Sequence, residues 1–263
     1  MSGTMPSNNN YILDAVKVSR NFGGLKAVDQ VDFSVKKQEI MGLIGPNGAG
    51  KTTLFNLFTG HYQPSGGEIY FKNEKISGLK PYQITAKGLA RTFQNIRLFS
   101  KMTVLDNVLI GRHTKTASGL IGAILRRPSD RREEAEARDV AISLLEFVGL
   151  EDKKDEQAGN LSYGEQRRLE VARALAAEPE LLLLDEPAAG MNPQETINLM
   201  KLISRIRDEM NKTILLIEHD MKVVMGISER IAVLNYGRKI AEGTPAEIQG
   251  NEDVIHAYLG VST

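Results

Sequence analysis

Ile40-Met41-Gly42-Leu43-Ile44-Gly45-Pro46-Asn47-Gly48-Ala49-Gly50-Lys51-Thr52-Thr53 is the stretch from which the fold can be read. A short apolar run is followed by a glycine-rich turn, and then by Leu54, Phe55, Leu57 and Phe58 on a helix. Strand, turn and helix in that order are the setting the phosphate-cradling pattern Gly-x-x-x-x-Gly-Lys-Thr requires. The glycines let successive backbone N–H groups curl around a phosphate, and the helix start adds positive potential. Lys51 would reach the β and γ oxygens, and the Thr52 hydroxyl would ligate magnesium. A glycine turn with a purely structural task does not need Lys51-Thr52 at its exit. Gly45, Pro46, Asn47, Gly48, Ala49, Gly50, Lys51, Thr52 and Thr53 are therefore the expected nucleotide-binding set.

Two later stretches extend this reading. Leu181 to Leu184 is an apolar run of buried-strand type ending in Asp185-Glu186, which puts two carboxylates at the carboxyl end of a parallel strand, where α/β proteins bind ligands. Asp185 would hold magnesium through its water shell, and Glu186 would polarise an attacking water as general base. Ser162-Tyr163-Gly164-Glu165 has the form of a capping box, and Leu169, Ala172, Leu175 and Ala176 continue one helical face. A helix start with a free serine hydroxyl and the Gly164 N–H is also an anion site, so capping and phosphate contact are compatible.

Around these stretches the chain alternates. Ile12 to Val18, Val28 to Val35, Ile40 to Ile44 and Glu68 to Phe71 read as strands, the last after the turn Pro64-Ser65-Gly66-Gly67. From Thr103 the pattern is helical, with Thr103 as cap, and a second helix from near Ser129 ends at Gly149. Leu181 to Leu184, a helix from Gln194 to Glu209, Thr213 to Ile217 and a helix from Asp220 imply βαβ units and a largely parallel sheet. Arg230 to Glu242 reads as two strands about Tyr236-Gly237, and Thr244-Pro245-Ala246-Glu247 opens a short helix. The fold class is α/β, a P-loop NTPase with a mixed or parallel sheet core, an N-terminal antiparallel β subdomain and a helical insertion. The expected division is a frayed start over 1–10, nucleotide-binding core over 11–94, helical subdomain over 95–165 and the second part of the core over 166–263.

Composition narrows the function. Hydrophobic residues make up 41% and charged residues 25%, an ordinary globular balance. No apolar run approaches the roughly 18 to 20 residues that cross a bilayer, so any membrane role must come through a partner. Basic and acidic residues number 33 each, which leaves no global basic field and argues against nucleic acid as a partner. The absence of cysteine excludes disulfides and thiolate chemistry.

Together these residues resemble the ATP-binding subunits of ABC transporters, over nearly the whole chain. Leu161-Ser162-Tyr163-Gly164-Glu165-Gln166 is similar to that family's signature motif, Gln94 in Arg91-Thr92-Phe93-Gln94 to its Q-loop, and His219 in Ile217-Glu218-His219-Asp220 to its switch histidine. Phe22 precedes Lys51 at about the family's spacing for the aromatic that stacks on adenine. The resemblance implies a head-to-tail dimer in which the phosphate loop of one chain and Ser162 and Gly164 of the other sandwich ATP. It further implies that Glu186 activates water, that His219 contacts the γ-phosphate and orients that water, and that Gln94 joins Thr52 and Asp185 at magnesium and relays nucleotide state to a membrane partner. Tyr163, Glu165 and Asn192 depart from the family's usual glycine, glutamine and aspartate. His61, His113 and His256 match no motif and read as structural.

Within the family, Phe93 to Phe99, Ala188 to Pro193, Ile217 to Met221 and Tyr236 to Pro245 look most like the ATPases of branched-chain amino acid importers, the LivG type. Urea and amide importers use similar ATPases and are the nearest alternative; a soluble ABC-type ATPase acting on nucleic acid is a remoter one. The resemblance implies integral membrane permease subunits as partners, a second ATPase chain, identical or paralogous, and indirectly a substrate-binding protein. The implied location is peripheral, on the cytoplasmic face of the membrane. Lys115 to Arg132, with Leu120, Ile121, Ile124 and Leu125 ahead of Arg126, Arg127, Arg131 and Arg132, reads either as helical packing with a solvated basic edge or as a surface facing that permease.

Overall fold

The computed structural model describes residues 10–112 and 128–259. His113 and most of the basic stretch, Lys115 to Arg127, lie outside the described residues, as does the expected frayed start apart from Asn10.

Strand β1 (Tyr11–Phe22) and strand β2 (Leu25–Lys36) form a long antiparallel hairpin about Gly23-Gly24. Both run beyond the expected Ile12–Val18 and Val28–Val35, because polar residues at bulged positions hide their periodicity. β3 (Ile40–Ile44) is buried throughout and leads through the glycine turn into α1 (Lys51–Phe58). β4 (Gly66–Phe71) and the two-residue β5 (Glu74–Lys75) complete a four-stranded sheet of order β2-β1-β4-β5.

A six-residue helix, α2 (Pro81–Ala86), precedes the three-residue strand β6 (Leu89–Arg91). Both are too short to carry a readable period. Helices α3 (Val104–Arg112), α4 (Pro128–Val148) and α5 (Tyr163–Leu175) pack on one another, and Thr103 caps the first by accepting from Asp106 N at 3.0 Å. The rest alternates: β7 (Leu181–Asp185), α6 (Pro193–Met210), β8 (Thr213–Ile217), α7 (Met221–Ile227), then the hairpin β9 (Arg230–Asn235) and β10 (Arg238–Gly243). Helices α8 (Pro245–Gln249) and α9 (Glu252–Leu259) follow, the first boxed by Thr244 and Glu247 as its sequence implies.

The second sheet has the order β10-β9-β3-β8-β7-β6, parallel except for the β9–β10 hairpin. Alternation along its strands sorts side chains into two cores. Ile40, Leu182, Leu184, Ile214, Leu216 and Val233 join the core shared with α3 to α7. Met41, Leu43, Leu181, Leu183, Leu215 and Leu234 join Leu54, Phe55 and Phe58 of α1 and the inner face of the first sheet. α1 is thus held in the core shared by the two sheets, with its N-terminus at the carboxyl edge of the parallel strands. Among the described residues no helix is long and apolar enough to cross a membrane.

Candidate nucleotide site

β3, β8 and β7 are neighbours in parallel register, with Leu43 opposite Ile217 and Ile217 opposite Asp185. Three loops therefore emerge side by side at their carboxyl ends, and they carry Gly45 to Thr53, Glu186 and His219. Gly50 ends the first loop at φ +101, where a Cβ would lie 2.4 Å from the Ala27 carbonyl oxygen; only glycine fits there. The Lys51 ammonium turns back along its own loop and donates to the carbonyls of Gly45 at 2.7 Å and Pro46 at 3.0 Å. Burial lowers its pKa, while the carboxylates of Glu186 and Asp185 oppose that shift.

A cavity of about 470 Å³ opens over this loop. Asn47 to Thr53 form its floor, Glu186 one wall, and Phe22, Leu25, Ala27 and Tyr236 its outer rim. Thr52 is exposed there, whereas Phe22 is half-exposed and carries the Arg20 guanidinium 4.7 Å from its ring centroid. Tyr236, at the tip of the β9–β10 turn, is 85% exposed beside the cavity. Its Asn-Tyr-Gly context signals a turn and nothing about a ligand.

Gln94, Glu186 and His219 come together. The Gln94 amide donates to Glu186 Oε2 at 2.8 Å, and His219 Nδ1 lies 3.6 Å from the same oxygen. Glu186 adopts φ +46, a left-handed conformation that costs an L-residue energy, and its N–H is tied to the Ile217 carbonyl at 2.9 Å. The buried Glu218 is pushed up by desolvation, opposed by N–H donors that include Ala188 at 2.7 Å.

Asp185 sits behind this group, 4% exposed, paired with the Arg91 guanidinium at 2.7 Å. Arg91 also reaches Asn56 at 2.7 Å, so one cation spans β6, α1 and β7. Its partner is 94 residues away, and no local pattern could have marked the pair. His61, set aside as structural, bonds Thr59 through Nδ1 at 2.9 Å and meets Phe93 edge-on; burial and the nearby Arg91 and Arg97 lower its pKa. His256 lies on α9. The oxygen donors Thr52, Asp185 and Gln94 are hard and suit magnesium. Among the described residues no group of three or more His, Cys, Asp or Glu could hold a metal.

Ser162 and Gly164 are not brought to the phosphate-loop cavity. They line a separate cavity of about 500 Å³ with Glu195, Arg168 and Arg205. Ser162 caps α5, accepting from Glu165 N at 3.4 Å, while its own N–H and hydroxyl both donate to Glu165 Oε2 at 2.9 Å. Lys153 donates to the other carboxylate oxygen at 2.7 Å, and that hydrogen bond leads the causes that lower the Glu165 pKa to about 2. Asn192 caps α6 in the same way, its side chain accepting from Glu195 N at 2.9 Å.

The comparisons with known proteins bear on this arrangement directly. The sequence model described as ABC transporter matches residues 28–189, and that of the branched-chain amino acid ATP-binding cassette transporter matches residues 238–262. The chain is 54% identical over 239 residues to the high-affinity branched-chain amino acid transport ATP-binding protein LivG of Escherichia coli strain K12, covering 91% of this chain and 94% of that protein. It is 49% identical over 249 residues to BraF of Pseudomonas aeruginosa, which carries the same description, covering 95% of this chain and 98% of that protein. The fold superposes on the ADP conformation of MJ1267, an ATP-binding cassette of an ABC transporter, with a TM-score of 0.83 at 32% identity, covering 95% of this chain and 99% of that one. A dimeric post-hydrolysis cassette bound to ADP and Pi, MJ0796, gives 0.73 at 26% identity, covering 89% of this chain and 98% of that one. A cavity over the phosphate loop, Glu186 met there by Gln94 and His219, and this likeness over almost the full length lead to one conclusion: the chain belongs to the ABC transporter family of ATP-binding proteins, among those of branched-chain amino acid transport.

Proposed function

We propose that this chain is the ATP-hydrolysing motor of an importer, driving uptake of branched-chain amino acids through a membrane permease. It works as half of a head-to-tail pair of cassettes at the cytoplasmic face of the membrane, with a substrate-binding protein delivering cargo on the far side. The observation that carries this reading is the convergence of Gln94 and His219 on one oxygen of Glu186, beside the cavity over Lys51.

ATP enters that cavity with its triphosphate along the loop N–H groups and the base at the rim, against Phe22. Lys51 exchanges its two carbonyl partners for phosphate oxygens. Thr52, Asp185 and Gln94 would hold magnesium, which would supply positive charge to offset that of the phosphates. Asp185 is already charge-balanced by Arg91, which favours contact through water. Glu186 accepts the proton of the attacking water, and His219 orients that water against the γ-phosphate. Ser162 and Gly164 open onto a different cavity, which supports their contacting the nucleotide of the partner chain instead. Neither chain then holds a complete site, and closure of the pair switches hydrolysis on.

Glu186→Gln tests the assignment. Its hydrolysis rate is expected to fall roughly 10²- to 10⁴-fold, the usual contribution of a general base, while ATP still binds and traps a dimer resolvable by gel filtration. Wild-type turnover by that variant would remove Glu186 from the role.

A further inference from the structure

Arg167 is the largest fully buried side chain among the described residues, yet it belongs to neither the phosphate-loop cavity nor the signature surface. It lies one turn into α5. Its Nη1 donates to the Phe93 carbonyl at 2.7 Å and to Glu170 Oε2 at 2.9 Å; its Nη2 donates to the Gln94 carbonyl at 2.7 Å and to the Tyr163 hydroxyl at 3.2 Å. Glu170 in turn accepts weakly, at 3.4 Å, from the N–H groups of Phe93 and Arg97. A guanidinium and a carboxylate on one helix therefore grip the segment on either side of Gln94. The planar fork matters here, since an ammonium could not meet two successive carbonyls and a carboxylate in one plane.

Tyr163 also reaches the loop that follows the other half of the catalytic pair. Its ring lies against the loop that follows Glu186, where a Cβ added at Gly190 would be 3.4 Å from Tyr163 Cε1. Gln94, joined to Glu186 at 2.8 Å, is thus held through its backbone from the first turns of α5, and the loop that follows Glu186 meets the same turn at Gly190. Ser162 and Gly164 flank Tyr163 on that same turn.

We propose that Tyr163 and Arg167 form a strap by which engagement of Ser162 and Gly164 with the partner chain's nucleotide sets the position of Gln94 against Glu186 in their own chain. They are positioning residues, through which the signature turn acts on the placement of Gln94. This rests on the head-to-tail reading above. It also gives the tyrosine of this signature a task that glycine, the family's usual residue there, could not perform.

The test uses the assembled transporter in proteoliposomes and reads the ATP dependence of hydrolysis together with the thermal midpoint. Tyr163→Phe deletes one hydroxyl and keeps the ring; Arg167→Lys keeps the charge and loses the fork. Arg112→Gln is the control, because Arg112 pairs with Glu178 at 2.6 Å and touches neither the strap nor either cavity. Wild type should respond to ATP sigmoidally. Both strap variants should lose about tenfold in kcat, as supporting residues of a catalytic group do, with a Hill coefficient near one. Their KM for ATP should stay within about twofold of wild type, the mark of an effect confined to the catalytic step. Wild-type kcat and cooperativity in Tyr163→Phe would overturn the strap, as would losses that merely follow the thermal midpoint and recur in Arg112→Gln. Unimpaired hydrolysis by Glu186→Gln would instead overturn the underlying site assignment, and the strap with it.

Discussion

Two residues that depart from expectation carry distinct consequences. Glu165 stands where the family's signature usually has glutamine, and its carboxylate is held by Lys153, Ser162 N and the Ser162 hydroxyl. Its pKa falls from the ordinary 4.5 to about 2. An acid whose folded pKa is depressed stabilises the fold fully above the unfolded value, and that contribution is lost as pH falls towards the folded one. Urea midpoints of wild type should therefore exceed those of Glu165→Gln by a constant margin above about pH 5, a margin that shrinks between about pH 4.5 and pH 2. A margin independent of pH would show that shape alone, not charge, caps α5. Arg91 makes the second case. Removing it in Arg91→Met leaves Asp185 buried without its cation, which should cost roughly 3 to 5 kcal/mol in denaturant unfolding, whereas adding Asp185→Asn should recover part of the loss. The sequence shows Asp185 as a strand-end acid because Leu181 to Leu184 precede it; it does not show Arg91, whose meaning lies entirely in a distant partner. The same holds for Arg167, which reads as one more polar residue on the signature helix until the segment around Gln94 is laid across it.

At the scale of elements, legibility follows length and spacing. The glycine loop, β3, β7, β8 and α6 were readable because each carries a run or a cap that local physics dictates. α2, β6 and α9 were not: the first two span six and three residues, and α9 has only Val254 buried in the core. Close approaches between elements are equally silent. Gly111 in α3 faces the α5 backbone so closely that a Cβ would lie 2.1 Å from the Arg173 carbonyl oxygen. Gly111→Ala should force the two helices apart at a cost of roughly 1 to 3 kcal/mol, read as a lowered thermal midpoint, with ATP binding at the remote phosphate loop intact. An unchanged midpoint would mean that α3 and α5 can separate without penalty.

The whole molecule divides its chemistry between two surfaces. Phosphate loop, Glu186 and the aromatic rim share one cavity; Ser162 and Gly164 open on another. The proposed head-to-tail pairing, where it joins like chains, makes a specific demand. Lys51→Met and Gly164→Glu proteins, each inactive alone, should regain hydrolysis when mixed, because the mixed pair assembles one site from two unaltered halves. Failure to complement, with each variant still competent against a paralogous cassette, would show that the natural partner is a different chain. The two-core arrangement makes such variants separable in practice, since α5 lies on one face of the parallel sheet and α1 on the other.

The folded-back Lys51 gives the nucleotide loop a built-in placeholder. Its ammonium rests on the Gly45 and Pro46 carbonyls at hydrogen-bonding distance, so the loop keeps its curl by binding its own side chain. Nucleotide arrival is then a substitution reaction, with one set of oxygen acceptors displacing another, and requires no ordering of the chain. In the proposed motor, each stroke would then start from the same loop shape, and the meeting of the two cassettes would set the time between strokes.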